Sequence, residues 1–180
     1  MNDDEKKSDG RLDLKTRMFG SIATLGPVGR RLPAPGTWGA VAGTAFYWIA
    51  FQATGINTPA TFFEFTIWAA LLVVCAVPVC EAGEKCLGRT DPGEVNFDEF
   101  AVMPVCFAGL GDVIANSPNT TYWLCAGFVL FRVFDIFKPF GIRELQKLKG
   151  GWGVVADDFA AALATCACLW CAHLAIDRLL

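Results

Sequence analysis

The chain has 180 residues, of which 54% are hydrophobic and 18% charged, with a formal net charge of −3 and a mean hydropathy of +0.42. An ordinary soluble domain carries about a quarter charged residues, so this composition excludes one and points to a bilayer. The acidic balance argues against nucleic acid as a partner, and the length suits one compact domain.

The opening stretch MNDDEKKSDGRLDLKTR mixes both signs of charge and has no apolar run. It fits neither a signal peptide nor a lipidation motif, so residues 1–24 are expected to form a flexible or interfacial lead to a membrane domain over 25–180. Next comes LPAPGTWGA, where Pro33 and Pro35 interrupt regular structure and Gly36 and Gly39 allow close backbone approach. A loop that opens a helix here would offer N–H groups to an anion, with Thr37 as its cap, although a plain turn into the membrane has the same pattern.

Five apolar segments follow, at 38–54, 62–80, 100–115, 121–137 and 159–176. They lack strict alternation and are rich in Ala, Leu, Phe and Val, so they predict an all-α fold, a compact helical membrane bundle with about four to five transmembrane segments. Several are shorter than the ~20 residues of a comfortable span, so one is expected to be re-entrant or interfacial if the count is four. Lys and Arg gather before the first segment, between the second and third, and between the fourth and fifth, whereas GINTPAT and NSPNT carry none. That alternation predicts a cytoplasmic N-terminus, with Arg178 the exception.

Acidic residues concentrate on the same basic side. DPGEVNFDEF places Asp91 and Glu94 in a loop and Asp98 and Glu99 at the start of the third segment. One acid suffices to cap a helix, so an adjacent pair exceeds that need. In FRVFDIFKP, Arg132, Asp135 and Lys138 recur every third residue on one helical side, and Pro139 then stops the helix. GGWGVVADD opens with Gly150, Gly151 and Gly153, expected as a tight anion-binding loop, and ends with Asp157 and Asp158 at the start of an Ala-rich helix. Each segment alone also reads as an ordinary turn or cap. Together on one face they predict oxygen ligands for a divalent cation, of the kind Mg²⁺ takes, beside cations for a phosphate. Glu64 and Asp112 fall toward the other end and read as interfacial charges.

Other chemistry fits poorly. No cysteine stands six residues before an arginine, and His173, the single histidine, lies toward the far end. The run from Cys166 through Cys168 and Cys171 to His173 sits inside an apolar segment and matches no common zinc spacing, so packing explains it.

The ordered set LPAPGTWGA, DPGEVNFDEF, FRVFDIFKP and GGWGVVADD resembles the phosphatidylglycerophosphatase A family from about Leu25 to the C-terminus. The resemblance implies a Mg²⁺-dependent enzyme of the bacterial inner membrane, its site facing the cytoplasm, that hydrolyses phosphatidylglycerophosphate to phosphatidylglycerol and inorganic phosphate. It assigns the family's acids to Asp91, Asp98, Glu99, Asp135, Asp157 and Asp158, its bases to Arg132 and Lys138, and its turn to Pro35, Gly36 and Thr37. On that basis Asp98, Glu99, Asp157 and Asp158 are expected to hold Mg²⁺ and the attacking water. Asp135 would complete that shell or orient Arg132, and Arg132, Lys138, Gly36 and Thr37 would take the phosphate. Val102 stands where the family usually has glycine, Gly141 where it has a second proline, and the first proline turn is one residue short. These departures touch backbone shape, not the ligands. The basic rim would also attract anionic phospholipids. Two other readings use the same residues, a small ion-coupled transporter and a non-catalytic membrane subunit; lipid hydrolysis separates them.

Overall fold

The computed structural model describes residues 13–139 and 141–179. Among these residues the regular structure is helical, in the order α1 (Leu14–Ala23), α2 (Val28–Arg31), α3 (Pro35–Thr54), α4 (Phe62–Leu87), α5 (Phe97–Cys106), α6 (Gly111–Asn116), α7 (Thr120–Phe137), α8 (Ile142–Leu145) and α9 (Gly151–Leu179). The expected helical membrane bundle is therefore what the chain forms.

Local chemistry sets the helix ends. Pro35 opens α3 at a position where its missing N–H costs nothing, and Gly55 closes it in the left-handed conformation. α7 ends just before Pro139, as the sequence predicts, with Lys138 closing it at a positive φ. The long helices keep many large apolar side chains exposed. Along α4, Phe63, Ile67, Leu71 and Val74 are exposed, while Ala69, Ala76, Cys80 and Gly83 face inward. Small residues inside, alongside Phe65 and three valines, and large apolar ones outside suit a helix packed against protein on one side and lipid on the other.

Three helices, α4, α7 and α9, are long and apolar enough to cross a membrane. The count of four to five is the approximate part of the expectation. The third expected segment, 100–115, is broken into the ten residues of α5 and the six of α6. Ten residues rise only about 15 Å, half a hydrocarbon core. Every residue of α5 from Ala101 onward is buried, because α5 packs among α3, α4 and α9. Its broken end is held by Asn57 of the α3–α4 loop, whose Nδ2 donates to Phe107 O at 2.7 Å and whose Oδ1 accepts from Gly109 N at 2.7 Å. The backbone freed by the break is thus satisfied inside protein, the condition for irregular chain at membrane depth.

Residues 14–23, within the expected lead, form α1 and pack on the end of α4, where Ala23 lies against Gly83. The fifth segment starts earlier than expected, at Gly151 and not at 159. This overturns the loop reading of the glycines. Gly151 and Gly153 are helical, and a side chain on Gly151 would meet Val77 O at 2.0 Å, so it serves close packing of α9 on α4 and not an anion nest.

Candidate active site

Four stretches far apart in sequence meet at one end of the bundle around a cavity of about 300 Å³. Ala34, Pro35 and Gly36 come from the start of α3; Asp91, Gly93 and Val95 from the α4–α5 loop; Asp98 and Glu99 from the first turn of α5. Arg132, Asp135 and Lys138 come from the end of α7, and Val154, Asp157 and Asp158 from α9. The short length of α5 matters here, since it delivers two acids to the centre of the bundle on a helix walled by its neighbours.

Carboxylate oxygens of Asp98, Glu99 and Asp158 lie within 4.8 Å of one another. Asp98 and Asp158 are only 5% and 4% exposed. Beside them, Arg132 Nη1 donates to Asp135 Oδ2 at 2.6 Å and lies 3.8 Å from Glu99 Oε1. Lys138 Nζ donates to Asp157 and sits 3.7 Å from Asp135 Oδ1, so Asp135 stands between the two cations. Six carboxylates therefore face two cationic side chains.

That imbalance leaves orphans. Asp98 Oδ1, Glu99 Oε2 and Asp157 Oδ1 are buried without a hydrogen-bond partner. An unpaired buried carboxylate oxygen is strongly unfavourable unless a cation or donor satisfies it. A purely oxygen donor set at this spacing fits a hard divalent cation and not a thiophilic one. Burial first, with the Asp91 charge adding to it, pushes Asp98 up to about 6 against the pull of its hydrogen bonds. Burial and then the neighbouring Asp98 charge raise Glu99 well above its ordinary value. For Lys138, burial favours the neutral amine, but Asp157 first, then Asp158 and Asp135, hold its ammonium above the usual range.

Backbone strain collects here as well. Ala34, Asp91 and Lys138 line the cavity with φ of 51°, 46° and 44°. Non-glycine residues held in the left-handed region cost about 1–2 kcal/mol each and persist where the surroundings over-determine them.

The family model described as phosphatidylglycerophosphatase A matches residues 21–173, a stretch that contains every residue of the cavity. The chain belongs to the phosphatidylglycerophosphatase A family. A Haemophilus influenzae protein named phosphatidylglycerophosphatase A is 37% identical over 133 residues, covering 73% of this chain and 74% of its own. One of the same name from Escherichia coli is 29% identical over 140 residues, 76% of this chain and 72% of its own. A Bacteroides thetaiotaomicron relative, named provisionally as a phosphatidylinositol-3-phosphatase, is 36% identical over 140 residues, 72% of this chain and 77% of its own. No solved structure matches the chain.

Of the residues expected from the sequence, Asp98, Glu99 and Asp158 form one cluster. Asp157 is turned to Lys138, and Asp135 to Arg132. Asp157 and Asp158 stand at the seventh and eighth positions of α9 rather than at its start, about 10 Å along the helix. Thr37 is not the cap of α3; Ala34 occupies that position, and no side chain bonds there. Thr37 is also absent from the cavity wall, which Gly36 reaches. A side chain on Gly36 would meet Glu99 Oε1 at 2.0 Å, so glycine is required for α3 to approach the acids.

Asn96 is the participant that sequence reasoning passed over. It is fully buried. Its backbone N donates to Ala23 O at 2.9 Å, and its Nδ2 donates to Pro35 O at 3.1 Å. It thereby ties the end of α1 and the start of α3 to the turn that carries Asp98 and Glu99. Its signal is an Asn directly before a helix whose first turn holds the acids.

Proposed function

We propose that this chain hydrolyses phosphatidylglycerophosphate to phosphatidylglycerol and inorganic phosphate, with Mg²⁺ as cofactor, at the cytoplasmic face of a bacterial inner membrane. The observation that carries the reading is the cluster of Asp98, Glu99 and Asp158, with its unpartnered oxygens, beside Arg132 and Lys138. Family membership supplies the reaction class, and the two relatives named phosphatidylglycerophosphatase A supply the substrate. The basic loops on the cavity side support its cytoplasmic orientation.

Asp98, Glu99 and Asp158 would hold the ion. When bound, Mg²⁺ supplies Lewis-acid polarisation of a phosphoryl oxygen and a lowered pKa for water. The protein's own part is charge placement. Arg132 and Lys138 neutralise phosphate oxygens that six carboxylates would otherwise repel. Asp135 holds the Arg132 guanidinium, and Asp157 holds the Lys138 ammonium, so both cations are oriented before the lipid arrives. In the reaction the oxygen of water bonds to phosphorus, the ester P–O bond breaks, and the glycerol oxygen leaves as a hydroxyl after taking a proton.

The test is phosphate release from phosphatidylglycerophosphate by purified protein, with Mg²⁺ and with EDTA. Asp158→Asn is expected to lose more than the roughly 10–100-fold that removal of an outer-shell partner of a metal site costs. Release that survives EDTA, or an Asp158→Asn protein of near wild-type rate, would sink the mechanism. Phosphatidylinositol 3-phosphate belongs in the same assay because the Bacteroides relative carries that name. Faster release from it would change the substrate but not the chemistry.

A further inference from the structure

Arg132 is placed where a buried catalytic cation need not be. On α7 it shares one stripe with Val129, Val133 and Ile136, at spacings of three and four residues. Those three apolar residues are 54%, 42% and 62% exposed, the pattern of a surface that meets lipid. The Arg132 side chain retains 20% exposure although it pairs with Asp135 and lines the cavity. It lies five residues before the end of α7, about 8 Å below the helix terminus. Its carboxylate partners, Asp135 and Glu99, are cavity residues, so an arginine in a lipid-facing stripe at that depth marks a functional position between lipid and cavity.

On the helix opposite, a glycine stands beside Arg132. α3 and α7 touch, and across their seam the residue facing Arg132 is Gly36. A side chain there would come within 3.4 Å of Arg132 Nη1. At the cavity the seam is lined by glycine backbone on one side and a guanidinium on the other, with Glu99 Oε1 next to both. The remaining sides are more substantial: α5 is packed against α3, α4 and α9, and α7 lies along α9.

We infer that the seam between α3 and α7 is a lateral doorway, through which the phosphorylated headgroup of a membrane lipid passes from the bilayer into the cavity with its acyl chains left outside. This rests on the lipid-phosphatase reading and adds the route. Arg132 then has two tasks, to meet the incoming phosphate at the lipid boundary and to hold it beside the carboxylate cluster. Val129 and Ile136, one turn to either side of Arg132, form the lips against which the acyl chains lie. The strained left-handed residues at the start of α3 and the end of α7, Ala34 and Lys138, line the cavity to which the doorway leads.

The experiment places a photo-cross-linking residue at Val129, at Ile136 or at Leu71 in the full chain carrying Asp158→Asn. The protein is held in phosphatidylethanolamine vesicles with trace radiolabelled phosphatidylglycerophosphate. Leu71 is 59% exposed on α4 and reports ordinary contact with lipid. Several-fold more label at 129 and 136 than at 71, lost when Arg132→Ala is added, is the expected result. Equal labelling at all three positions would overturn the doorway. Kinetics give a second readout in the otherwise wild-type chain. Ile136→Trp should raise KM for the vesicle-borne lipid with kcat retained, while Leu71→Trp changes neither, since obstructed entry removes binding and not chemistry. An unchanged KM in Ile136→Trp also counts against the doorway. Wild-type turnover on the same vesicles is measured alongside: turnover with uniform labelling overturns the route alone, whereas absent turnover overturns the lipid-phosphatase reading beneath it.

Discussion

At the scale of single residues, the cavity trades stability for charge. Asp98 Oδ1 and Glu99 Oε2 are buried without partners, and Asp158 lies in the same cluster. Without a cation these like charges repel in a region poor in water. Asp98→Asn removes one charge and keeps the shape. It is therefore expected to raise thermal stability in EDTA by about 1 kcal/mol while abolishing turnover, the trade-off usual where a site is built against the fold's preference. Differential scanning of both proteins in detergent checks this, and a lower melting temperature for the variant would contradict it. The acids themselves were legible in the sequence, because carboxylates stand out in an apolar chain. Their division of labour was not. Asp157 and Asp158 are adjacent in sequence but about 100° apart around a helix, so one meets Lys138 and the other joins the cluster. Adjacency suggests a shared role, and helical geometry separates them.

At the scale of elements, the decisive contact is α3 on α5. A side chain on Gly39 would meet Asn96 O at 2.4 Å, and one on Gly43 would meet Phe100 O at 2.6 Å. With Gly36 these glycines let α3 lie against the backbone of the helix that carries Asp98 and Glu99. Gly43→Leu should push the two apart, costing roughly 1–3 kcal/mol as other overpacked contacts do. Activity should fall with it although residue 43 is distant from the cavity, and phosphate release with a thermal melt measures both. A variant of unchanged stability would show that the contact yields more easily than its geometry indicates. The break between α5 and α6 was the least legible element. Hydropathy reports only that a residue avoids water, so a segment buried in protein and one facing lipid look alike. Pro104 and the glycines at 109 and 111 were visible in the sequence, but the partner that satisfies the broken chain, Asn57, lies some fifty positions earlier. The outer helices were easier to find, because large exposed residues along α4, α7 and α9 form long continuous runs.

At the scale of the whole molecule, a cation bound among residues of α5 and α9 would join two helices that meet at the bundle's centre. Anything that binds the folded state alone stabilises it, by about 2.7 kcal/mol at a hundredfold excess over Kd. Saturating Mg²⁺ is therefore expected to raise the melting temperature of the wild-type protein, and Asp158→Asn should lose that increment. Equal shifts in both would assign the effect to the lipid or detergent surface instead. The placement of α5 also has a consequence for how the protein is made. Its ten residues are too few to span the hydrocarbon on their own, and its buried face rests on α9, which follows much later in the sequence. Asp158 and the partner of Lys138 arrive on that helix too. During synthesis the ribosome therefore releases α5 and its two acids well before their support exists. A nascent chain halted ahead of Gly151 would hold an unfinished membrane fold, a natural substrate for insertion chaperones and quality-control proteases, and the enzyme would come into being only when α9 is threaded home.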